Sequence, residues 1–202
     1  MPRSALSFKR GKPRFKPQPQ ILIICEDSKS AKTYLEQAAI YFRASAKVEI
    51  THCGYTDPKG IVQNAIRRLK PFDEVVCVVD RDEHTNLDPA SKLQRSHDKL
   101  TLLISYPCFE FWLLLHFGFT RAPFDTAGSV MQALVTKPGM AQYKKGSTQG
   151  LFQTLLPKLP HAINHADKCL AQAAEVNEMN PSTPIHQLIR RLTDLGQTVP
   201  IR

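Results

Sequence analysis

The chain has 202 residues, of which 42% are hydrophobic and 22% are charged, so we expect a soluble globular protein with a sizeable core. The longest apolar run, from Phe111 to Leu115, is far shorter than the roughly 20 residues of a membrane-spanning helix, so we expect no membrane partner. The five cysteines form no C-x-x-C pair, which argues against a zinc ribbon or a disulfide framework and favours a reducing, cytoplasmic location.

Most of the net charge of +9 is concentrated at the amino terminus, where residues 1–20 contain six lysines or arginines, four prolines and no acid. We predict a disordered basic arm over this segment. Two roles stay open for it: contact with nucleic-acid phosphates, or an effect on solubility alone. The remainder of the chain keeps a formal charge of only +3.

Two short, strongly apolar segments are predicted to be buried strands, and both end in acids. The first, at 21–25, runs into Glu26, and the second, at 75–79, runs into Asp80 and Asp82. Such a pattern is typical of strands whose carboxyl ends carry a functional site.

The other elements follow from apolar periodicity and from Gly and Pro breaks. In chain order we predict helices over about 31–43 and 61–69, a strand over 48–53, a helix over 93–99, a strand over 100–105 and a helix over 108–117. After residue 120 we predict helices over about 126–136, 148–156, 160–179 and 184–195, the last with Thr183 as N-cap and Pro184 at its first position.

The alternation of strands and helices predicts an α/β fold with an open parallel sheet of about four strands and flanking helices. We assign this sheet to a domain over 21–120, and residues 121–202 to a helical carboxyl-terminal segment packed on it. Right-handed crossovers bring the carboxyl ends of all strands to one rim, where open α/β sheets bind ligands. Glu26, Asp80 and Asp82 are therefore expected at this rim.

The spacing of Asp80 and Asp82 indicates a cation site. Side chains alternate along an extended chain, so these two carboxylates point the same way and Arg81 points opposite. Carboxylates that converge repel each other unless a cation lies between them, and Mg²⁺ or Mn²⁺ prefers such oxygen ligands. A strand that simply ends in solvated acids would explain the pair alone, but Glu26 from a second strand favours the metal site.

Three known arrangements place acids at such a rim. Phosphatases of the haloacid dehalogenase type need D-x-D-x-T on the first strand, whereas here the pair follows the third strand and His84 occupies the Thr position. Receiver domains need an acidic pair after the first strand, which Glu26 and Asp27 could imitate, so a receiver domain stays a minor contender. Toprim domains have Glu after the first strand and D-x-D after the third, as in this chain. There the Asp pair holds Mg²⁺, and the Glu is a ligand or a general acid/base for phosphodiester chemistry.

Several strings also resemble a known family. They are I-L-I-I-C-E at 21–26, V-D-R-D-E-H at 79–84, P-C-F-E-F-W-L-L-L-H-F at 107–117 and N-P-S-T-P-I-H at 180–186. Together they look like the RloB (AbiLii-like) family over roughly residues 20–195. The resemblance implies a Toprim-type fold and a metal-dependent nuclease activity in abortive-infection phage defence. It also implies a partner, an AAA/ABC-type ATPase encoded alongside.

Four further residues are possible accessory groups. Asp27 replaces the Gly of the family's usual C-E-G-x-K-T-E string and adds an acid near the expected metal. Lys29, at a helix start below the rim, and His84 are candidates for phosphate contact, although an exposed loop His is commoner. Glu110 lies in the first turn of a predicted helix, where it either takes part in the chemistry or favours the helix macrodipole. The lysine pair 144–145 is expected to be solvated, with contact to a phosphate as the alternative.

We therefore predict a Mg²⁺- or Mn²⁺-dependent endonuclease acting on RNA or DNA, with Glu26, Asp80 and Asp82 as catalytic and metal-binding residues. The alternative is a non-catalytic module whose acidic rim binds a metal or a nucleotide and which regulates the partner ATPase.

Overall fold

The structure is a computed structural model that describes residues 18–81, 84, 87–146 and 148–197. Most of the predicted basic arm, residues 1–17, lies outside the described residues, as does Asp82. Gln18 and Gln20 are hydrogen bonded to the body of the protein, the first to the Gln197 carbonyl and the second to the Asp73 carboxylate.

The described residues contain a four-stranded parallel sheet, as predicted. Its strands are β1 (Ile21–Cys25), β2 (Val48–His52), β3 (Glu74–Asp80) and β4 (Leu100–Ser105), in the spatial order β2-β1-β3-β4. All pairs are parallel. The chain leaves β1 toward one edge and returns to add β3 on the other side, so the strand order reverses between β1 and β3. In open α/β sheets this crevice is where ligands bind.

Helices cover both faces of the sheet and form the carboxyl-terminal segment. They are α1 (Ser30–Tyr41), α2 (Pro58–Arg67), α3 (Asp88–Arg95), α4 (Glu110–Leu114), α5 (Ala127–Val135), α6 (Leu151–Leu155), α7 (Leu159–Val176) and α8 (Ile185–Gly196), with a 3₁₀ turn at Leu156–Lys158 between α6 and α7. None of the helices in these ranges is long and apolar enough to cross a bilayer.

Alternation along β1 divides the core into two layers. Leu22 and Ile24 pack against α2 and α3 on one face, whereas Ile21, Ile23 and Cys25 pack with α1 and α4–α8 on the other. Every residue of β1 is buried, and this accounts for its continuously apolar sequence. The carboxyl-terminal helices share the larger core with the sheet, and they are therefore packed on it as predicted.

All helices except α3 begin and end within three residues of their predicted bounds. α3 begins at Asp88, five residues before the predicted start at residue 93, and Pro89 is compatible with this start because its missing N–H breaks no helical hydrogen bond in the first turn. α4 is only five residues long, and the residues around it form single turns, such as Phe111 N–H to the Cys108 carbonyl at 3.1 Å.

The predicted N-cap of the last helix is also different. α8 begins at Ile185, one residue after Pro184, and the Thr183 hydroxyl lies 2.9 Å from the Ser105 hydroxyl at the end of β4. Thr183 therefore fastens the start of α8 to the rim of the sheet.

Candidate active site

Glu26 and Asp80 meet in the crevice between β1 and β3. The Glu26 N–H extends the β1–β3 ladder by donating to the Val78 carbonyl at 2.9 Å. In return, one carboxylate oxygen of Glu26 accepts the Asp80 N–H at 2.9 Å. The predicted convergence of these two residues at the rim is therefore present, and the backbone of β3 fixes the orientation of the Glu26 side chain.

His84 is the third member of this group. Its Nε2 lies 2.7 Å from the second carboxylate oxygen of Glu26, and both side chains are mostly shielded from solvent. The loop histidine is thus tied to the rim rather than freely exposed. A carboxylate–imidazole pair at the edge of a pocket is a suitable group for proton transfer.

The Asp80 carboxylate contacts the segment that follows β4. Its Oδ1 accepts the Phe109 N–H at 2.9 Å, immediately before α4 begins. Burial, followed by the Glu110 carboxylate and then by Glu26, raises the pKa of Asp80 well above its ordinary value, although Lys145 and the Phe109 N–H oppose the shift. Asp80 is therefore a crowded carboxylate that lacks sufficient positive charge around it.

Glu110 is the main cause of this crowding after burial itself. It is fully buried, and its Oε1 accepts a hydrogen bond from the Tyr143 hydroxyl at 3.3 Å. Its Oε2 lies 3.7 Å from the Lys145 ammonium, but it has no hydrogen-bond partner within the described part of the chain. A buried carboxylate whose second oxygen has only a long ion-pair contact does more than favour the dipole of a five-residue helix, because such burial is costly unless another group compensates it.

Tyr143 and Lys145 reach the site from the segment between α5 and α6. The Tyr143 hydroxyl also contacts the Ser30 hydroxyl at 3.2 Å, and burial together with Glu110 raises the pKa of this phenol. Burial alone would lower the pKa of the Lys145 ammonium, but the Glu110 and Asp80 carboxylates outweigh it and the pKa is raised. Lys145 is therefore a firmly protonated cation beside the acids.

Of the accessory candidates Asp27 and Lys29, the first lies at the pocket and the second does not line it. The Asp27 carboxylate accepts the N–H groups of Lys29 and Ser30, so it caps the start of α1 while also lining the pocket. Lys29 is exposed and does not line the pocket. The cation that the fold brings to the acids is Lys145, which we had expected to be solvated.

These groups surround an open pocket of about 190 Å³ at the rim. Its lining residues are Glu26, Asp27, Thr56, Asp80, His84, Ala127 and Lys145. Glu110 lies behind them, and Asp82, the second acid of the predicted pair, is outside the described residues. Among the residues that the structure describes, no three His, Cys, Asp or Glu side chains form a ready-made ligand group for a metal ion.

The family of the chain follows from a comparison with known protein families. Residues 21–192 match the family model described as RloB-like protein. The chain belongs to the RloB-like family. No curated protein and no solved structure matches the chain significantly.

The two longest strings that resemble the RloB family meet in space. Tyr106, directly before the P-C-F-E string, forms a two-bond antiparallel bridge with Ser182 of the N-P-S-T-P string, at 2.8 and 3.0 Å. The Ser105–Thr183 contact lies next to this bridge. In this RloB-like chain the closing string therefore supports the segment that carries Phe109 and Glu110 to Asp80.

Sequence reasoning did not name the lining residues Thr56 and Ala127, and it favoured a solvated position for Lys145. Thr56 lies in the loop after β2, and its only sequence signal is its position after a strand end. Lys145 is distant in sequence from every rim acid, and nothing in its local pattern distinguishes it from Lys144. The contact between Glu110 and Lys145 arises from packing of the α5–α6 connection against α4, which periodicity does not encode.

Proposed function

We propose that the rim pocket is the active site of a metal-dependent nuclease that cleaves phosphodiester bonds in RNA or DNA. In this proposal the protein acts in abortive-infection phage defence under the control of an AAA/ABC-type ATPase encoded alongside. The observation that carries the proposal is the direct hydrogen bond between Glu26 and Asp80 at the reversal of strand order, with Glu110 buried beside them. Membership of the RloB-like family supports it.

The donor set fits a hard divalent cation such as Mg²⁺ or Mn²⁺. All of the acids at the pocket offer oxygen, the ligand atom that these ions prefer, and Mg²⁺ is commonly held by one or two carboxylates with water and substrate phosphate completing its shell. The Oε2 of Glu110, which has no hydrogen-bond partner among the described residues, and the raised pKa of Asp80 both indicate an excess of negative charge that a cation would relieve. In the proposal Asp80 and Asp82 hold the ion, with Glu26 as a further ligand or as acid/base.

The ion supplies charge neutralisation at the phosphate and a more acidic bound water. The protein's own groups have separate tasks. Glu26, oriented by the Asp80 N–H, holds the His84 ring at 2.7 Å, so that this pair can accept a proton from the attacking water. Lys145 at the pocket wall binds a non-bridging phosphate oxygen and stabilises the additional charge of the transition state.

The test compares the purified wild type with Asp80→Asn. The Asn side-chain oxygen can still accept the Phe109 N–H, so the fold is retained while one negative charge is removed. Both proteins are incubated with Mg²⁺ and with tRNA or duplex DNA, in the presence and absence of the partner ATPase. We expect cleavage to fall about 100-fold or more, as for loss of one ligand of a catalytic metal.

The matched control is Asp98→Asn, an exposed acid before β4 at the opposite end of the sheet, which should leave cleavage unchanged. Equal cleavage by the wild type and Asp80→Asn would contradict the nuclease proposal. Absence of cleavage in both proteins with the ATPase present and active, together with altered ATPase activity in Asp80→Asn, would support the non-catalytic regulator instead.

A further inference from the structure

A second pocket lies directly beside the acidic pocket and has not been used by the proposed chemistry. Its volume is about 380 Å³, within the range of roughly 300–1,000 Å³ that is usual for small-ligand sites. The lining includes a guanidinium, two aromatic rings and two carboxylates, which belong to Arg81, Tyr106, Phe124, Asp125 and Glu178. It is a mixed aromatic and charged surface rather than an apolar groove.

The two pockets are lined by different residues of the same three chain segments. In β3, Asp80 lines the acidic pocket and the next residue, Arg81, lines the second one. In the segment before α5, Asp125 lines the second pocket, and Ala127, two residues later, lines the acidic pocket. In the segment after β4, Tyr106 lines the second pocket, and the Phe109 N–H binds Asp80 (2.9 Å). The two pockets therefore lie near each other at the rim, within reach of neighbouring nucleotides of one strand.

The walls of the second pocket are held in place by hydrogen bonds. Besides the bridge between Tyr106 and Ser182, the Asn180 amide donates to the Phe124 carbonyl at 2.8 Å. Arg121 donates to the Glu178 carbonyl at 2.8 Å and to the Pro181 carbonyl. The closing N-P-S-T-P string thus builds this pocket, which gives it a role beyond ending the fold.

The groups that face the pocket are available to a ligand. The Arg81 backbone N–H is used by the Ser105 and Pro107 carbonyls, but its guanidinium has no hydrogen bond or ion pair to any residue in the described ranges. Tyr106 is partly exposed, and it lines the same pocket as Arg81. A flat aromatic face beside a guanidinium is a stacking platform for a base.

The charges select the kind of base. Asp125 and Glu178 outnumber Arg81, so the pocket does not favour a phosphate, and it favours a group that offers N–H donors to carboxylates. One oxygen of Glu178 accepts the Asn180 N–H at 2.9 Å, which leaves the other for a ligand. Guanine carries two adjacent N–H donors on its Watson–Crick edge, and its O6 and N7 acceptors form the commonest base contact of arginine.

We propose that this second pocket binds a guanine base of a single-stranded nucleic acid, one nucleotide away from the phosphodiester at the acidic pocket. The base stacks on Tyr106, its acceptor edge faces Arg81, and its donor edge faces Asp125 and Glu178. The assignment of the neighbouring phosphodiester rests on the proposed nuclease function, whereas the binding of the base does not.

The test is a binding measurement without cleavage. Fluorescently labelled eight-nucleotide strands of uridine, with either no substitution or one central guanosine, are titrated in EDTA at about 0.15 M salt, where phosphate contacts are weakened. Fluorescence anisotropy should show the guanosine strand binding at least about 10-fold more tightly to the wild type, as expected for one bidentate base contact. Thymidine strands with one deoxyguanosine test the same preference for DNA.

Two variants separate the contributions. Tyr106→Leu should weaken binding of the guanosine strand about 10-fold through loss of stacking. Because Tyr106 is partly buried, a second variant combines Asp125→Asn with Glu178→Gln at two exposed positions, which should reduce the guanosine preference below about 3-fold and leave uridine binding intact. Asp98→Asn, at the far end of the sheet, is the matched control and should behave like the wild type.

Equal affinity for guanosine and uridine strands, a preference that survives both variants, or no binding to any strand would overturn the proposal. These outcomes are independent of the cleavage assay. Guanosine preference in a protein that never cleaves would retain this pocket and refute the nuclease, and cleavage without base preference would do the reverse.

Discussion

Substitution of Glu110 by Gln should make the protein more stable and less active. In the structure Glu110 is fully buried, with one hydrogen bond at 3.3 Å and one ion-pair contact at 3.7 Å to a lysine whose side chain is 45% exposed. Its Oε2 has no hydrogen-bond partner among the described residues. An unsatisfied buried polar group costs about 1–3 kcal/mol, and more when it is charged. Gln keeps the shape and the bond from Tyr143, and Lys145 stays hydrated.

We therefore expect Glu110→Gln to raise the free energy of unfolding by about 1 kcal/mol at pH 7 without metal, because the buried charge is removed while the neutral amide stays unsatisfied and the Lys145 contact is lost. For a chain of this size that corresponds to a rise in Tm of roughly 2–4 °C, measurable by differential scanning calorimetry. Cleavage should fall, because the site loses a negative charge that would balance the cation. Glu175→Gln, an exposed change on α7, is the matched control and should leave Tm unchanged.

The same substitution should change the pH dependence of stability through Asp80. Because the folded-state pKa of Asp80 is raised, its protonated form stabilises the folded protein, and this contribution appears as the pH falls through that pKa and is absent above it. With Gln at position 110, the second largest cause of the shift is removed, so the stabilisation on acidification should shrink. A Tm that falls in Glu110→Gln, or an unchanged acid response, would refute the view that Lys145 and Tyr143 compensate the Glu110 charge only in part.

Three further predictions concern other parts of the molecule. Burial lowers the pKa of His116 to about 4 from 6.5, so the free energy of unfolding should fall by about 3 kcal/mol as the pH falls from 6.5 to 4. Urea titrations at the two pH values should show that His116→Gln removes this loss. Lys145→Met should reduce cleavage at least about 10-fold through loss of transition-state stabilisation, with Lys144→Met as a neutral control; equal activities would exclude Lys145 from the site. Deletion of residues 1–16, which carry six positive charges, should reduce the salt slope of duplex binding by up to about 5 if all six contact phosphates, and an unchanged slope would assign this segment to solubility.

The framework of the site could be predicted because it depends on local patterns. Apolar runs of five residues in β1 and β3 have few alternatives to buried strands, and parallel topology then dictates that Glu26 and Asp80 share a rim. The role of Asp27 was also within reach, because an Asp three residues before Ser30 is a common helix cap. Because the family string has Gly at this position, Asp27 was interpreted as an additional acid of the metal site rather than as a helix cap.

The remaining features depend on contacts between segments far apart in the chain. Glu110 lies in a helix of one turn whose start is fixed by the Asp80 carboxylate, and no helical periodicity over five residues can encode such a contact. Lys145 follows α5 by ten residues of irregular chain, so its approach to Glu110 depends on the path of that connection. Loop positions of this kind are set by packing, which local sequence describes poorly.

A second carboxylate in the same protein shows what structural acids look like here. Asp167 on α7 accepts two hydrogen bonds from the Arg190 guanidinium, at 2.9 and 2.5 Å, and contacts His186 at 3.1 Å. The Arg190 hydrogen bonds are the largest cause of its lowered pKa. Asp80 has the opposite character, since its pKa is raised by burial and by neighbouring acids. Asp167 is fully paired, whereas the rim keeps buried carboxylates close together at a cost in stability. Carboxylates with pKa values perturbed in this way are concentrated in functional sites. The same reasoning favours a positively charged ligand, rather than a poorly formed structural ion pair, as the group that would balance the negative charge of the rim acids.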